Sequence, residues 1–174
     1  YLPEKTARYR YFFASDLSET ELNQLLEKGW RKFGLYYFVP DCRDCKNCIP
    51  LRIPLKDLQF SKNQKKLFAR NREVQVEIKE LAYSPEIYQI YKDHSLFRFQ
   101  KQSTPDEFYR SFYEASCPSC QTEYRVKGEL AAVGFLDRSY QAFSSVYFIY
   151  SRKFSKLSLG SFSVLKECEM AKNL

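Results

Sequence analysis

Residues 122–150 read TEYRVKGELAAVGFLDRSYQAFSSVYFIY, and this stretch decides the fold. Three β-favouring runs alternate with two short turns: residues 122–126, Lys127-Gly128, residues 130–137, Arg138-Ser139 and residues 143–150. Apolar runs joined by short polar turns predict an antiparallel meander. Its strands are longer and more apolar than the other β-favouring segments, so we expect them at the centre of the sheet.

Capping signals predict helices around this meander. A Ser or Thr stands at the expected start of four helices, at Ser18, Ser61, Ser84 and Thr104. Glu, Gln or Pro follows each of them within three residues, which is typical of helix N-termini. Further strands are expected at residues 9–14, 33–39, 52–55 and 74–78.

A last helix is expected after Ser158-Leu159-Gly160. A strand, a glycine-containing turn and a helix leave the first N–H groups of the helix unpaired, an arrangement that receives phosphate. We therefore predict an α+β fold of acetyltransferase (GNAT) type, with a mixed, mainly antiparallel sheet flanked by helices. An N-terminal cysteine-containing, basic subdomain is expected at residues 1–72, and the acetyltransferase-like domain at residues 73–174.

Three cysteines have C-x-x-C-x-x-C spacing, at Cys42, Cys45 and Cys48. This spacing lets neighbouring thiolates turn inward on one loop, as in partial zinc or iron–sulfur sites. Three sulfurs leave such a site incomplete, so a fourth ligand comes from elsewhere, the site is open to solvent, or the thiols are free. Cys117 and Cys120 could supply ligands or form a redox pair, although they follow a helix rather than begin one. A disulfide with a spare thiol is the alternative in an oxidising compartment.

The chain is basic, with 28 Lys and Arg against 21 Asp and Glu and a net charge of +7. This balance favours a polyanionic partner, with nucleic acid ahead of an acidic membrane surface. Five basic residues lie on and just after the second expected helix: Lys62, Lys65, Lys66, Arg70 and Arg72. Their spacing is typical of phosphate-backbone contacts, although a solvated helix surface shows the same pattern. The 17% aromatic content leaves rings available for a ligand.

No run approaches the roughly 20 apolar residues of a membrane span, and Tyr1-Leu2-Pro3 does not begin a signal peptide. A cytoplasmic protein with reduced thiols is therefore expected, and both ends of the sequence look trimmed. The sole histidine, His94, is expected at the end of a helix, as a packed or capping residue rather than a catalyst.

Several motifs occur in order over nearly the whole chain: Tyr1-Leu2-Pro3, Cys42-x-x-Cys45-x-x-Cys48-x-Pro50-x-Arg52-Ile53, Ser61-x-x-Gln64-Lys65-Lys66, Ser145-Val146-Tyr147, and Ser158-Leu159-Gly160 with Glu169. Together they resemble the aminoacyl-tRNA–protein transferase family, which includes arginyl-tRNA–protein transferases and bacterial aspartate/glutamate leucyltransferases. The cysteine motif resembles the leucyltransferase branch.

The resemblance implies transfer of an amino acid, leucine ahead of arginine, from charged tRNA to proteins that begin with Asp or Glu. Such transfer marks the acceptor for degradation by the N-degron pathway. The resemblance also implies an iron–sulfur cluster or zinc at Cys42, Cys45 and Cys48, with a fourth cysteine two residues before Tyr1. A monomer without a membrane partner is expected.

The resemblance and the residue chemistry together predict the site. Arg98 first, and Arg125 second, would bind the acidic N-terminus, because a planar guanidinium fits a carboxylate. Asp137 and Tyr147 would accept the amine proton or orient the ester. The tRNA acceptor end would enter at Ser158-Leu159-Gly160, and the five basic residues would hold the tRNA backbone. Each of these roles competes with a packing role.

The sequence departs from the family at Ser151-Arg152, where Asp-Pro is usual, and at Phe99, where His often follows the arginine. The family also continues past the final helix into a tyrosine-rich strand, so a C-terminal truncation is expected. Two alternatives remain open. One is a non-catalytic RNA-binding module with a metal knuckle, and the other is an acetyltransferase with a nucleotide cofactor at Gly160.

Overall fold

The computed structural model describes residues 6–172 of the 174-residue chain, so the motif Tyr1-Leu2-Pro3 lies outside the described part. The strands are β1 (Tyr9–Phe13), β2 (Arg31–Phe33), β3 (Tyr36–Pro40), β4 (Val74–Glu80), β5 (Ser119–Val126), β6 (Glu129–Arg138) and β7 (Phe143–Tyr150). The α-helices are α1 (Glu19–Glu27), α2 (Lys62–Arg70), α3 (Pro85–Phe99), α4 (Pro105–Phe112) and α5 (Leu159–Lys172). A short 3-10 helix, Arg152–Leu157, precedes α5. None of the helices within residues 6–172 has the length and apolar character that a membrane crossing requires.

The first four helices begin at the predicted capping residues. The side chains of Ser18, Ser61, Ser84 and Thr104 each accept a hydrogen bond from a backbone N–H in the first turn. Three of these helices have a complete capping box, in which the Glu or Gln side chain accepts from the cap backbone. Local sequence therefore determines where these helices start.

The strands form two antiparallel sheets, with the orders β1-β3-β2 and β4-β5-β6-β7. The α+β class is confirmed, and no parallel pair occurs within residues 6–172. β5 and β6 are interior strands, as predicted for the meander. The central position predicted for β7 is wrong for the described residues, because β4 pairs with β5 and leaves β7 at the opposite edge.

Three further predictions need correction. The single strand expected at residues 33–39 is a hairpin, because Gly34 turns the chain with a φ of 54°. A Cβ at Gly34 would lie 2.2 Å from the carbonyl oxygen of Arg110, so only glycine fits this turn. Residues 52–55 are not a strand, and Arg52 instead donates a hydrogen bond of 2.6 Å to the carbonyl oxygen of Leu26. His94 lies inside α3, which continues to Phe99.

Helices cover both faces of the four-stranded sheet. On one face, Ile87 of α3 and Phe108 of α4 pack into a core with Val133 and Ile149. On the other face, Phe162 of α5 packs with residues of β5 and β6, and α2 adds partly buried side chains. Both α3 and α5 contact β7, so the end of one helix and the start of the other lie beside this edge strand.

A buried ion pair joins the two sheets. Nζ of Lys32 on β2 lies 3.1 Å from Oδ1 of Asp137 on β6, and the two side chains are only 8% and 4% exposed. The hydroxyl of Ser119 donates to the same carboxylate oxygen at 2.9 Å. Nearby, the hydroxyls of Tyr37 and Ser116 lie 2.9 Å apart, which joins β3 to the segment before β5. The N-terminal sheet is therefore docked through buried polar contacts that require both partners.

We predict that Lys32→Met lowers the free energy of unfolding by about 3–5 kcal/mol, because the Asp137 carboxylate would remain buried without its cation. The double variant Lys32→Met/Asp137→Leu should recover most of this loss, because no buried charge is left. Urea unfolding followed by circular dichroism measures both effects.

The matched control is Lys153→Met, which removes an exposed lysine from its ion pair with Glu129. Its loss should stay below about 1 kcal/mol, as is usual for surface pairs. A Lys32→Met loss no larger than that of the control would contradict the structural role of the buried pair.

Candidate active site at the edge of β7

A cavity of about 400 Å³ lies at the edge of β7, between the last turn of α3 and the first turn of α5. Its lining residues are His94, Arg98, Phe99, Ser145, Val146, Tyr147, Phe148, Tyr150 and Gly160. Three predicted site residues, Arg98, Tyr147 and Gly160, are thus brought together from distant parts of the sequence.

A β-bulge shapes the wall of this cavity. Phe135 pairs with Tyr147 and Leu136 pairs with Ser145, so Val146 is an extra residue on β7. A bulge bends its strand and re-aims the neighbouring side chains. Ser145, Val146 and Tyr147 consequently all line the cavity, although strict alternation would direct neighbouring side chains to opposite faces.

The cavity contains one cation and two groups that can exchange a proton. Arg98 is exposed in the last turn of α3. Burial lowers the pKa of His94, and a hydrogen bond with the Tyr150 backbone opposes this shift. Burial and the neighbouring Tyr91 raise the pKa of Tyr147, whereas Arg98 opposes that shift. At neutral pH the imidazole is therefore neutral and can accept a proton, while the phenol is protonated and can donate one.

The turn into α5 forms another part of the wall. Ser158 has a φ of 54°, which is uncommon for a residue with a side chain. Leu159 is buried in the core and anchors the helix, whereas Gly160 is exposed and has open space where a Cβ would stand. The N–H groups of Ser161 and Phe162 both donate to the Ser158 carbonyl oxygen. The N–H groups at the very start of the helix lack intrahelical acceptors. Gly160, which has one of these groups, lines the cavity.

Arg125 and Asp137 lie away from this cavity. Arg125 is paired with Glu123 at 3.0 Å and reaches Glu86 at 4.0 Å. Glu86 and Arg98 lie at opposite ends of α3, about 18 Å apart along the helix axis. The Asp137 carboxylate is enclosed by Lys32 and Ser119, and it does not line the cavity. Burial raises the pKa of Asp137, and both of those partners oppose the shift. The functions predicted for Arg125 and Asp137 stay predictions.

The predicted basic surface is present on α2. Lys62, Lys65, Lys66, Arg70 and Arg72 are all exposed. On the opposite side of the helix, Phe68 packs against Phe162 of α5, with ring centroids 5.8 Å apart. The amide of Asn71 also donates to the carbonyl oxygen of Leu157, at 3.0 Å. The basic helix is therefore fixed beside the start of α5, whose residue Gly160 lines the cavity.

The cysteine motif does not fit a metal site in this conformation. Cys42 lies against the backbone of Arg8, whose N–H is 3.4 Å from the Cys42 sulfur. Within residues 6–172, no three His, Cys, Asp or Glu side chains are grouped so that they could hold a metal ion. Cys117 is buried beside Ser119, and Cys120 lies on β5. Burial raises the pKa of both of these thiols, which does not favour a reactive thiolate. We therefore assign no chemical step to a metal or cluster.

Glu167 is a buried group at the site that was not among the residues predicted from the sequence. It is 7% exposed on α5, and its Oε1 has no hydrogen-bond partner among the described residues. A Cβ on Gly134 would lie 3.2 Å from that oxygen, so the glycine leaves room for the carboxyl group. Burial raises the pKa of Glu167 to about 7, and a hydrogen bond from Ser145 opposes the shift. Because Ser145 lines the cavity, this carboxyl group lies directly behind the cavity wall.

A sequence signal for Glu167 was available. The residue lies four positions after buried Ser163 and eight after buried Leu159, so it falls on the inward face of the final helix. An acidic side chain at an inward position of a helix is unusual and often functional. His94 likewise follows Ile87 and Ile90 on the buried side of α3.

A second cavity, of about 650 Å³, lies on another part of α3, beside the start of β6 and the segment after β7. Arg152, one of the residues that depart from the family pattern, lines it and lies 4.0 Å from the ring centroid of Phe97. Ser151 also lines this cavity. None of the predicted site residues is among its lining residues.

The edge cavity, with an arginine, a neutral histidine and a tyrosine beside a helix start, is suited to acyl transfer to an amine. Residues 1–66 match the family described as "Arginine-tRNA-protein transferase, N terminus", and residues 84–174 match the corresponding C terminus. The chain therefore belongs to the arginine-tRNA-protein transferase family, and the predicted family and enzyme class are confirmed.

Similar proteins extend this result. An aspartate/glutamate leucyltransferase of Helicobacter hepaticus is 29% identical over 179 residues, which cover 99% of this chain and 74% of that protein. One from Polynucleobacter asymbioticus is 30% identical over 185 residues, covering 100% of this chain and 75% of that protein. The structure of L-PGS from Bacillus licheniformis has a TM-score of 0.52 at 14% identity, over 95% of this chain and 43% of that one. That likeness concerns the fold alone.

The raised pKa of Glu167 predicts a pH-dependent stability. Between the ordinary glutamate value of 4.5 and about 7, the folded protein binds a proton that the unfolded chain has lost. The free energy of unfolding should therefore fall as pH rises from 5 to 8, by up to about 3 kcal/mol from this group. Glu167→Gln should remove this dependence, so the variant gains stability over the parent as pH rises. Urea unfolding across this pH range measures the difference.

Glu169→Gln is the matched control, because Glu169 lies on the same helix in an ion pair with Lys166 at 2.5 Å. Unlike Glu167→Gln, this variant should not gain stability over the parent protein as pH rises from 5 to 8. A Glu167→Gln curve parallel to that of the parent would contradict the buried, proton-binding carboxyl group.

Proposed function

We propose that this protein transfers leucine from charged tRNA to the N-terminal amine of proteins that begin with Asp or Glu. The observation that carries the proposal is the edge cavity, where Arg98, His94 and Tyr147 meet the start of α5. The aspartate/glutamate leucyltransferases similar to this chain support leucine as the donated residue.

Arg98 is assigned to the acceptor. It is the cation that lines the cavity, and it is exposed on the last turn of α3. A guanidinium can donate two parallel hydrogen bonds to the side-chain carboxylate of an N-terminal Asp or Glu. When Arg98 holds this carboxylate, the α-amine of the acceptor would point into the cavity, towards Tyr147.

The reaction forms one bond and breaks another. The acceptor amine attacks the carbonyl carbon of the aminoacyl ester, an amide bond forms, and the bond from that carbon to the tRNA ribose oxygen breaks. The amine loses one proton, and the leaving ribose oxygen gains one. Because the ester is already activated, orientation and proton transfer supply most of the rate acceleration, and no protein nucleophile is needed.

His94 is assigned as the proton acceptor and Tyr147 as the group that orients the ester or donates to the leaving oxygen. The imidazole is neutral at neutral pH because burial lowers its pKa, so it can take the amine proton. The ring centroids of His94 and Tyr147 are 6.5 Å apart, and both rings line the cavity, so a carbonyl group bound there would lie beside both of them. Asp137, predicted to accept the amine proton or orient the ester, is assigned a positioning role through Lys32.

The tRNA is assigned to α2 and to the start of α5. The five exposed basic side chains on and after α2 would contact the phosphate backbone. The N–H groups at the start of α5 would receive the phosphates nearest the ester, beside Gly160. In this proposal, residues 73–174 form a GNAT-type transfer domain and residues 1–72 assist tRNA binding. The reaction takes place in the cytoplasm and marks acceptors for the N-degron pathway. A metal or cluster at the cysteine motif stays a prediction.

The experiment that tests the function is transfer of labelled leucine from leucyl-tRNA to synthetic peptides. Peptides that begin with Asp or Glu should be labelled, whereas the same peptides beginning with Ala should not. Arg98→Ala should lower kcat/KM for the acidic peptides by roughly 10- to 100-fold, mainly through KM, because a charged hydrogen-bond pair is lost.

Arg138→Ala is the matched control, because Arg138 is 57% exposed and pairs with Glu19 outside the cavity. Its kinetics should equal those of the parent. The assigned acceptor site would be contradicted if peptides without an acidic first residue were labelled equally well. It would also be contradicted if Arg98→Ala and Arg138→Ala lowered kcat/KM by the same factor. The absence of leucine and arginine transfer altogether would contradict the function.

A further inference from the structure

One face of the N-terminal sheet is composed of aromatic rings. Residues paired across antiparallel strands point to the same face, and the register pairs Tyr11 with Phe38, and Phe13 and Phe33 with Tyr36. Tyr9 lies two residues before Tyr11 and shares its face. We call this set the aromatic face: Tyr9, Tyr11, Phe13, Phe33, Tyr36 and Phe38.

The rings form a continuous and accessible surface. Neighbouring ring centroids lie 5.4 Å apart for Tyr11 and Tyr36, 5.5 Å for Tyr36 and Phe38, and 6.0 Å for Phe33 and Phe38. The rings on β1 are the most exposed, with Tyr11 60% and Phe13 69% exposed. Large rings that remain this open in a folded domain indicate an interaction surface.

The fold does not need these rings for its core. The opposite face of the same sheet contains the buried side chains Tyr37 and Lys32, together with Phe12, which stacks on Tyr37 at 5.1 Å. The aromatic face also has no Leu, Ile or Val among its paired residues. Such a composition is typical of sheets on which unpaired bases stack, because every base has a π-face.

The aromatic face lies next to the edge cavity. The ring of Phe33 lies 6.1 Å from that of Phe112 and 6.5 Å from that of Tyr147, which lines the cavity. Arg31, paired with Phe38 and so on the same face, donates a hydrogen bond of 2.5 Å to the carbonyl oxygen of Ser145. A single-stranded nucleic acid whose bases stack on the rings would therefore end beside the β7 bulge.

We propose that the aromatic face binds the unpaired 3′-terminal nucleotides of the charged tRNA by base stacking, and so delivers the aminoacyl ester to the edge cavity. This inference rests on the proposed function, which it deepens by assigning the surface that receives the single-stranded end. A polyanionic strand fits a protein of net charge +7 with Arg31 at the inner end of the face. Stacking adds an attraction that does not depend on base sequence.

The test uses RNA binding rather than transfer. Two labelled RNA hairpins, one with an unpaired 3′ extension and one blunt, are titrated with protein and followed by fluorescence anisotropy. The parent should bind the extended hairpin more tightly than the blunt one. Tyr11→Ala/Phe13→Ala should weaken binding of the extended hairpin by roughly 10- to 100-fold and leave binding of the blunt one unchanged.

Two control variants separate stacking from folding. Tyr140→Ala truncates a ring that is 54% exposed outside the aromatic face, and it should bind both hairpins as the parent does. Tyr11→Phe/Phe13→Tyr keeps both rings and should retain the preference for the extended hairpin. Urea unfolding should give similar midpoints for all variants, since the changed side chains are exposed.

Several outcomes would overturn the proposal. One is a parent without preference for the extended hairpin, and another is a Tyr11→Ala/Phe13→Ala variant that keeps the preference. A third outcome is that sedimentation shows the unchanged protein to be a dimer and the Tyr11→Ala/Phe13→Ala variant to be a monomer, while the variant still binds RNA as the unchanged protein does. The aromatic face would then bind a second copy of the chain and not RNA. Since neither a charged amino acid nor a peptide is needed, failure of transfer with an intact hairpin preference contradicts the proposed function and supports this surface.

Discussion

The buried ion pair between Lys32 and Asp137 is the contact on which the rest of the structure depends. It joins a short strand of the N-terminal sheet to an interior strand of the C-terminal sheet, with both charges withdrawn from water. An isolated buried charge is strongly unfavourable, so the two sheets are stable together in one arrangement. That arrangement places β2 beside β7, and Arg31, next to Lys32, reaches the backbone of Ser145. The aromatic face and the edge cavity are adjacent for this reason.

The edge cavity gains its chemistry from where its side chains are buried. His94 loses solvent inside α3 and becomes a neutral imidazole, while Arg98, one helical turn later, remains exposed and charged. The bulge at Val146 presents neighbouring residues of β7 to the same space. Behind the cavity wall, Glu167 has a pKa of about 7, so its carboxyl group gains or loses a proton near neutral pH. It is linked to the cavity through its hydrogen bond with Ser145. A cation for binding and groups for proton exchange thus lie within one pocket, as acyl transfer to an amine requires.

Much of this structure could be predicted from local sequence. The capping boxes at Ser18, Ser61 and Thr104 fixed the helix starts, because the signals lie within four residues of one another. The meander and the family resemblance were also recognisable. In contrast, the Lys32–Asp137 pair joins segments more than 100 positions apart, and neither residue differs locally from a surface charge. The Gly34 turn, the Val146 bulge and the edge position of β7 likewise depend on tertiary packing.

The central claim is that donor and acceptor meet in the edge cavity of β7. The most direct measurement is photocrosslinking with a tRNA charged with a photoreactive amino acid, followed by mapping of the modified residues by mass spectrometry. Our account predicts modification of the cavity wall, at Tyr147, Phe148 or the segment around Gly160. Modification confined to the other cavity, around Phe97 and Arg152, would contradict it.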